Sequence, residues 1–125
     1  MIEVIAVATG GAFGALARYW MAQLGAAFLG DDFPYGIFLV NAVGSLLIGV
    51  LFVLIVEREL VSAVWRSALI VGFLGAFTTF STFSLQTLGL LESGRLGTAA
   101  IYAFGSLVVC LAATAAGLFL TRLLP

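Results

Sequence analysis

Residues 72–84 read Gly72-Phe73-Leu74-Gly75-Ala76-Phe77-Thr78-Thr79-Phe80-Ser81-Thr82-Phe83-Ser84. Two glycines, three threonines and two serines sit inside a longer apolar run from Val64 to Leu91. A run of that length crosses a bilayer as a helix, since a crossing takes roughly 20 residues at about 1.5 Å each. The hydroxyl-rich centre is a poor continuous helix. The stretch therefore reads as a membrane helix broken near residues 75–79. Broken helices expose carbonyls, which suit cations, and amide ends, which suit anions.

Outward from this stretch, charged clusters punctuate three further apolar runs. Ile2 to Leu29 ends at Asp31 and Asp32, and Tyr35 to Val56 is followed by Glu57, Arg58 and Glu59. Val64 to Leu91 closes at Glu92-Ser93-Gly94-Arg95, and Leu96 to Leu124 carries Arg122 near its end. The fold class is an all-α membrane protein with four transmembrane helices in one domain, residues 1–125. The connections are short, so consecutive helices are antiparallel neighbours. The first run starts with Glu3 rather than a basic segment and is too long for a cleaved leader, so it reads as a retained helix.

Composition excludes the main soluble classes. Hydrophobic residues make up 63% of the chain and charged residues 9%. A water-soluble domain carries about 25% charge. The five basic residues are all Arg, scattered singly, so no patch exists to neutralise nucleic-acid phosphates. With no His and one Cys, a zinc or iron–sulfur site lacks ligands. Cys110 has no His or Lys near it in sequence to generate a thiolate, so no catalytic residue is assigned and the chain does not read as an enzyme.

Orientation is weakly specified. With the N-terminus inside, Arg58, Arg66 and Arg122 face inward, while Arg95 faces outward and Arg18 lies nearer the outer end. That is a slight positive-inside bias. Either the charges are too few to count, or the chain inserts both ways and pairs as an antiparallel dimer.

Several polar residues lie inside the spans. Arg18 has no acidic residue deep in any span to pair with. It either snorkels beside Tyr19 and Trp20 or faces a vestibule and attracts anions. Asn41 in the second span needs hydrogen-bond partners, as interhelical glue or as an anion-facing donor. Phe80 and Phe83, three apart, project from one helical face, and their ring edges carry positive charge that an anion can contact. Ser81 and Ser84 repeat that spacing with hydroxyl donors. In the fourth span Tyr102, Ser106, Cys110 and Thr114 recur every four residues. Bonding back to the carbonyl four residues earlier is the structural expectation for such hydroxyls; a track lining a pathway is the alternative. Gly10 and Gly14, Gly44 and Gly49, and Gly105 and Gly117 read chiefly as close-packing positions.

Three of these stretches resemble a known family, the Fluc (CrcB) fluoride channels. Gly10-Gly11-Ala12-Phe13-Gly14-Ala15-Leu16-Ala17-Arg18-Tyr19 resembles their first-helix motif. Val40-Asn41-Ala42-Val43-Gly44-Ser45, with Gly49 beyond, resembles the second. Gly72-Phe73-Leu74-Gly75 leading into Thr78-Thr79-Phe80-Ser81-Thr82-Phe83 resembles the third. The resemblance implies a fluoride channel of the bacterial inner membrane, built as an antiparallel dual-topology homodimer with two pores and a central structural sodium ion. It implies Asn41, Phe80, Ser81, Phe83, Ser84 and Thr114 at the fluoride pore, and Arg18, Tyr102 and Ser106 on a polar track or vestibule. It implies Gly75 and Thr78 as backbone-carbonyl ligands of Na⁺. Departures from the family pattern are Gln86 where Glu is frequent, Cys110 where a hydroxyl is common, and Ile37 and Leu46 for a frequent Thr and Phe.

The rival reading is a four-helix exporter of the small multidrug-resistance type. Proton-coupled export needs a membrane carboxylate, and only Glu3, at the very start of the first span, lies in one. A purely structural subunit is the other alternative.

Overall fold

The computed structural model describes residues 1–125 and is all-helical. Its elements are α1 (Ile2–Leu29), α2 (Tyr35–Leu51), α3 (Ala63–Arg66), α4 (Gly75–Phe77), α5 (Phe80–Glu92) and α6 (Leu96–Leu123). Two π-helical segments join them: Phe52–Glu57 extends α2, and Ser67–Leu74 links α3 to α4. Taken end to end they make four helices long and apolar enough to cross a membrane: Ile2–Leu29, Tyr35–Glu57, Ala63–Glu92 and Leu96–Leu123. Of 99 backbone hydrogen bonds, 86 lie within helices. A backbone facing lipid must be satisfied in this way, because hydrocarbon offers no substitute donor or acceptor.

Side-chain placement agrees with a lipid solvent. Only 19 of 125 residues are buried, and large apolar side chains such as Phe13, Phe28, Leu85, Phe104 and Phe119 point outward. Such a surface would aggregate in water and is stable in hydrocarbon. The chain is a multi-pass membrane protein.

Packing between helices rests on glycine where backbones approach. An added Cβ at Gly14 would lie 2.1 Å from the Phe73 carbonyl oxygen, and one at Gly117 2.4 Å from that of Leu46. These contacts seat α1 on the first half of the third span and α6 on α2. Gly105 differs from the close-packing expectation: a Cβ there meets nothing within 4 Å in the chain.

The third span changes neighbours partway. Its Ser67–Phe77 portion packs on α1, and α5 packs on α6. Between them Thr78 (φ −77°, ψ 156°) and Thr79 (φ −151°, ψ 119°) are extended. Gly75 is helical (φ −61°, ψ −34°), so the chain turns at the threonines and not at the glycine. Two small cores flank this point. Val40, Leu74 and Phe77 form one, and Leu90, Ala99 and Tyr102 the other. Gly94 ends α5 with φ +75°. Its N–H donates to Leu91 and the Arg95 N–H to Leu90, at 3.0 and 2.9 Å, the paired bonds of a glycine-terminated helix.

Candidate functional site

Thr79 and Asn41 hold the extended residues in place. The Thr79 N–H donates to Asn41 Oδ1 at 2.9 Å, and Asn41 Nδ2 donates to the Thr79 carbonyl at 3.0 Å. A continuous helix would send the Thr79 N–H to the Gly75 carbonyl. Its capture by Asn41 releases that carbonyl from the ladder. Thr79 also caps α5, since its Oγ1 accepts from the Thr82 N–H at 3.2 Å. Its hydroxyl donates in turn to Thr82 Oγ1 at 3.1 Å. Gly44 is required here, because a Cβ on it would fall 2.2 Å from Thr78 Cγ2.

Beside this pair runs an open groove of about 470 Å³ between α2, the third span and α6. Asn41, Gly75, Thr78, Phe80, Phe83 and Ser106 all line it. The Phe80 and Phe83 ring centroids are 5.6 Å apart, and Phe80 is 79% exposed, so its ring is available to whatever occupies or covers the groove. Ser106 is buried, and its Oγ has no hydrogen-bond partner. An unpaired buried hydroxyl costs about 1–3 kcal/mol, which a bound polar species would recover. No carboxylate lines the groove.

The remaining sequence-derived candidates lie elsewhere. Tyr102 is fully buried behind Phe83, with centroids 5.1 Å apart, and its hydroxyl donates to Gln86 Oε1 at 2.8 Å. Thr114 donates across to the Ser45 carbonyl at 3.0 Å. The every-fourth-residue hydroxyls of α6 thus do not bond back within their own helix, contrary to the structural expectation. Ser84 does so, donating to the Phe80 carbonyl at 2.9 Å. Ser81 is exposed, its Oγ 3.3 Å from Thr79 Oγ1. Arg18 is half-buried on α1, away from the groove. The chain's one ion pair joins Arg122 to Glu57 at the far ends of α6 and the second span, so Arg18 has no carboxylate partner.

A family model for CrcB-like protein, Camphor Resistance (CrcB), matches residues 5–118. The chain belongs to the CrcB family. Among its relatives are proteins named fluoride-specific ion channel FluC. That of Geobacter metallireducens is 45% identical over 122 residues, 98% of each chain. That of Agrobacterium fabrum is 48% identical over 122 residues, again 98% of each. That of Methylococcus capsulatus is 49% identical over 121 residues, 97% of this chain, and this chain spans about half its length (53%).

In this CrcB protein, sequence reasoning assigned no site role to Thr79 or Ser45, and placed Cys110 only in the every-fourth-residue stripe of the fourth span. Ser45 and Cys110 line the groove, and Thr79 is both groove wall and helix cap. Thr79 carried a signal, a threonine just ahead of an apolar helical run. The groove positions of Ser45 and Cys110 depend on how α2 and α6 pack together.

Proposed function

We propose that this chain is a fluoride-selective channel subunit that lets cytoplasmic fluoride leave passively across the bacterial inner membrane. The functional unit is an antiparallel, dual-topology homodimer with two pores. The observation that carries the reading is the groove. In a CrcB-family chain, an amide, an orphaned hydroxyl and two phenylalanine rings converge on a cavity with no carboxylate.

A dehydrated anion needs donors in place of water. The Ser106 hydroxyl has no other commitment, and the Phe80 and Phe83 edges supply weak positive charge without a strong hydrogen bond. Asn41 borders the path through its amide and fixes Thr79 beside it. Within one chain Ser81, Ser84, Thr114, Arg18 and Tyr102 lie outside this groove; the pore and vestibule roles that the family resemblance implies for them belong to the assembled dimer. A narrow path with few donors favours the smallest halide. Hydrogen fluoride enters cells as a neutral acid and dissociates. With the inside negative, the trapped anion then leaves down its electrochemical gradient.

A structural sodium ion fits the donor set. The interruption at Thr78–Thr79, placed mid-membrane, leaves carbonyl oxygens without helical partners, with Gly75 and Thr78 as the residues that would hold the ion. The chain has no group of three His, Cys, Asp or Glu residues for a metal, so a divalent ion would be left unneutralised. The bound ion would supply charge and rigidity between two copies of the chain. The groove also offers no carboxylate for the proton exchange that a small multidrug exporter requires.

The test is ion efflux from proteoliposomes containing the purified protein. Fluoride is expected to leave while chloride is retained. Equal release of both, or of neither, would remove this reading.

A further inference from the structure

Cys110 lies one helical turn beyond Ser106 on α6, and both line the groove with Asn41, Phe80 and Phe83. Cys110 is half-buried and is the chain's only cysteine. The thiol does not stand alone. Ser106 is 7% exposed, lines the same groove, and its Oγ has neither donor nor acceptor partner. We propose that Cys110 and Ser106 form a binding site for soft, thiophilic monovalent metal cations, and that filling it closes the ion path. This rests on the groove being the conduction path proposed above.

The ligand class follows from charge and softness. Sulfur favours soft metals over the hard cations that carbonyls hold. A divalent ion would keep net charge in an apolar groove, because no carboxylate or imidazole lies there to neutralise it. A monovalent cation replaces the thiol proton, so the S–H bond breaks, an S–metal bond forms and the proton leaves to water. The product is neutral and needs no counter-charge. Ser106 Oγ then gains a contact that the folded chain does not provide. The adduct occupies the groove that Cys110 lines together with Asn41 and Phe83, the path proposed for fluoride.

The probe is methylmercury cation, applied to the protein in liposomes. Two readouts are taken: mass addition at Cys110, and fluoride efflux relative to the same preparation before reagent. Addition of one methylmercury at Cys110 with loss of efflux, restored by excess dithiothreitol, is expected. Cys110→Ser, measured against its own untreated flux, should lose the sensitivity. Complete addition with unchanged efflux overturns the proposal while leaving the channel reading intact. So does failure of the native protein to react when the denatured protein does. Persistent inhibition in Cys110→Ser overturns it as well. If untreated protein carries no fluoride, the channel reading fails, and the mass readout still decides whether the groove thiol takes the cation.

Discussion

Asn41 does two jobs that a single substitution separates. Its carboxamide donates to the Thr79 carbonyl and accepts from the Thr79 N–H. Asn41→Asp keeps the acceptor and removes the donor, setting a carboxylate against a carbonyl oxygen and against the passing anion. Fluoride efflux from liposomes is expected to be blocked; flux at the parental rate would show that the residue lies off the path. Phe80 and Phe83 pose the complementary question. Replacing each with Ile keeps apolar bulk and removes the ring edge. Ring-edge contacts are worth about 1 kcal/mol in packing, and more to a dehydrated anion with few partners. Each variant is expected to elute with the parental oligomeric state and to lose most fluoride efflux. Retained flux in both would take the aromatic rings out of the mechanism. These residues were legible in sequence because a mid-span amide and a Phe-x-x-Phe pair beside hydroxyls are unusual in hydrocarbon. The partner of Asn41 was not legible, since Thr79 is 38 residues away along the chain.

At the scale of elements, the third span joins two helices with different neighbours. The sequence placed a weak stretch of helix near residues 75–79 but could not say which of those residues leaves the helical conformation. In the structure Gly75 is helical and the extended residues are Thr78 and Thr79, held by a side chain from α2. Local propensity marks where a helix is poor; a tertiary hydrogen bond chooses the residue at which it yields. Two glycine substitutions test the helix contacts. Gly44→Ala would drive a Cβ to 2.2 Å from Thr78 Cγ2 and is expected to cost about 1–3 kcal/mol. Gly105→Ala meets nothing in the chain and should stabilise α6 by about 1 kcal/mol through helix propensity. Thermal unfolding in detergent should therefore move in opposite directions. A lowered midpoint for Gly105→Ala would mean that a second copy of the chain fills the space beside it.

At the scale of the whole molecule, the weak arginine bias bears on topology. Arg122 is paired with Glu57, and Arg58 donates to the carbonyls of Thr121 and Leu124 at 3.0 and 2.7 Å, binding the end of α6 to the second span. On the opposite end, Arg95 donates to the Asp32 carbonyl. Both ends of the bundle thus carry arginine engaged with the protein. A cysteine placed at Ser93 in the Cys110→Ser background is expected to react with impermeant reagent added to either side of the membrane. Reaction from one side alone would exclude dual topology. Four apolar runs separated by charged clusters determined the all-helical, four-span class and the membrane as solvent, because a bilayer imposes length and apolarity on each crossing by itself. Residue type and local spacing also named Asn41, Phe80, Phe83 and Ser106 as candidates. Only tertiary packing decided that these four share one groove while Thr114 and Tyr102 spend their hydroxyls on Ser45 and Gln86. A helix presents residues in every direction, and which of its faces meets which neighbour is fixed by where glycine lets two backbones approach.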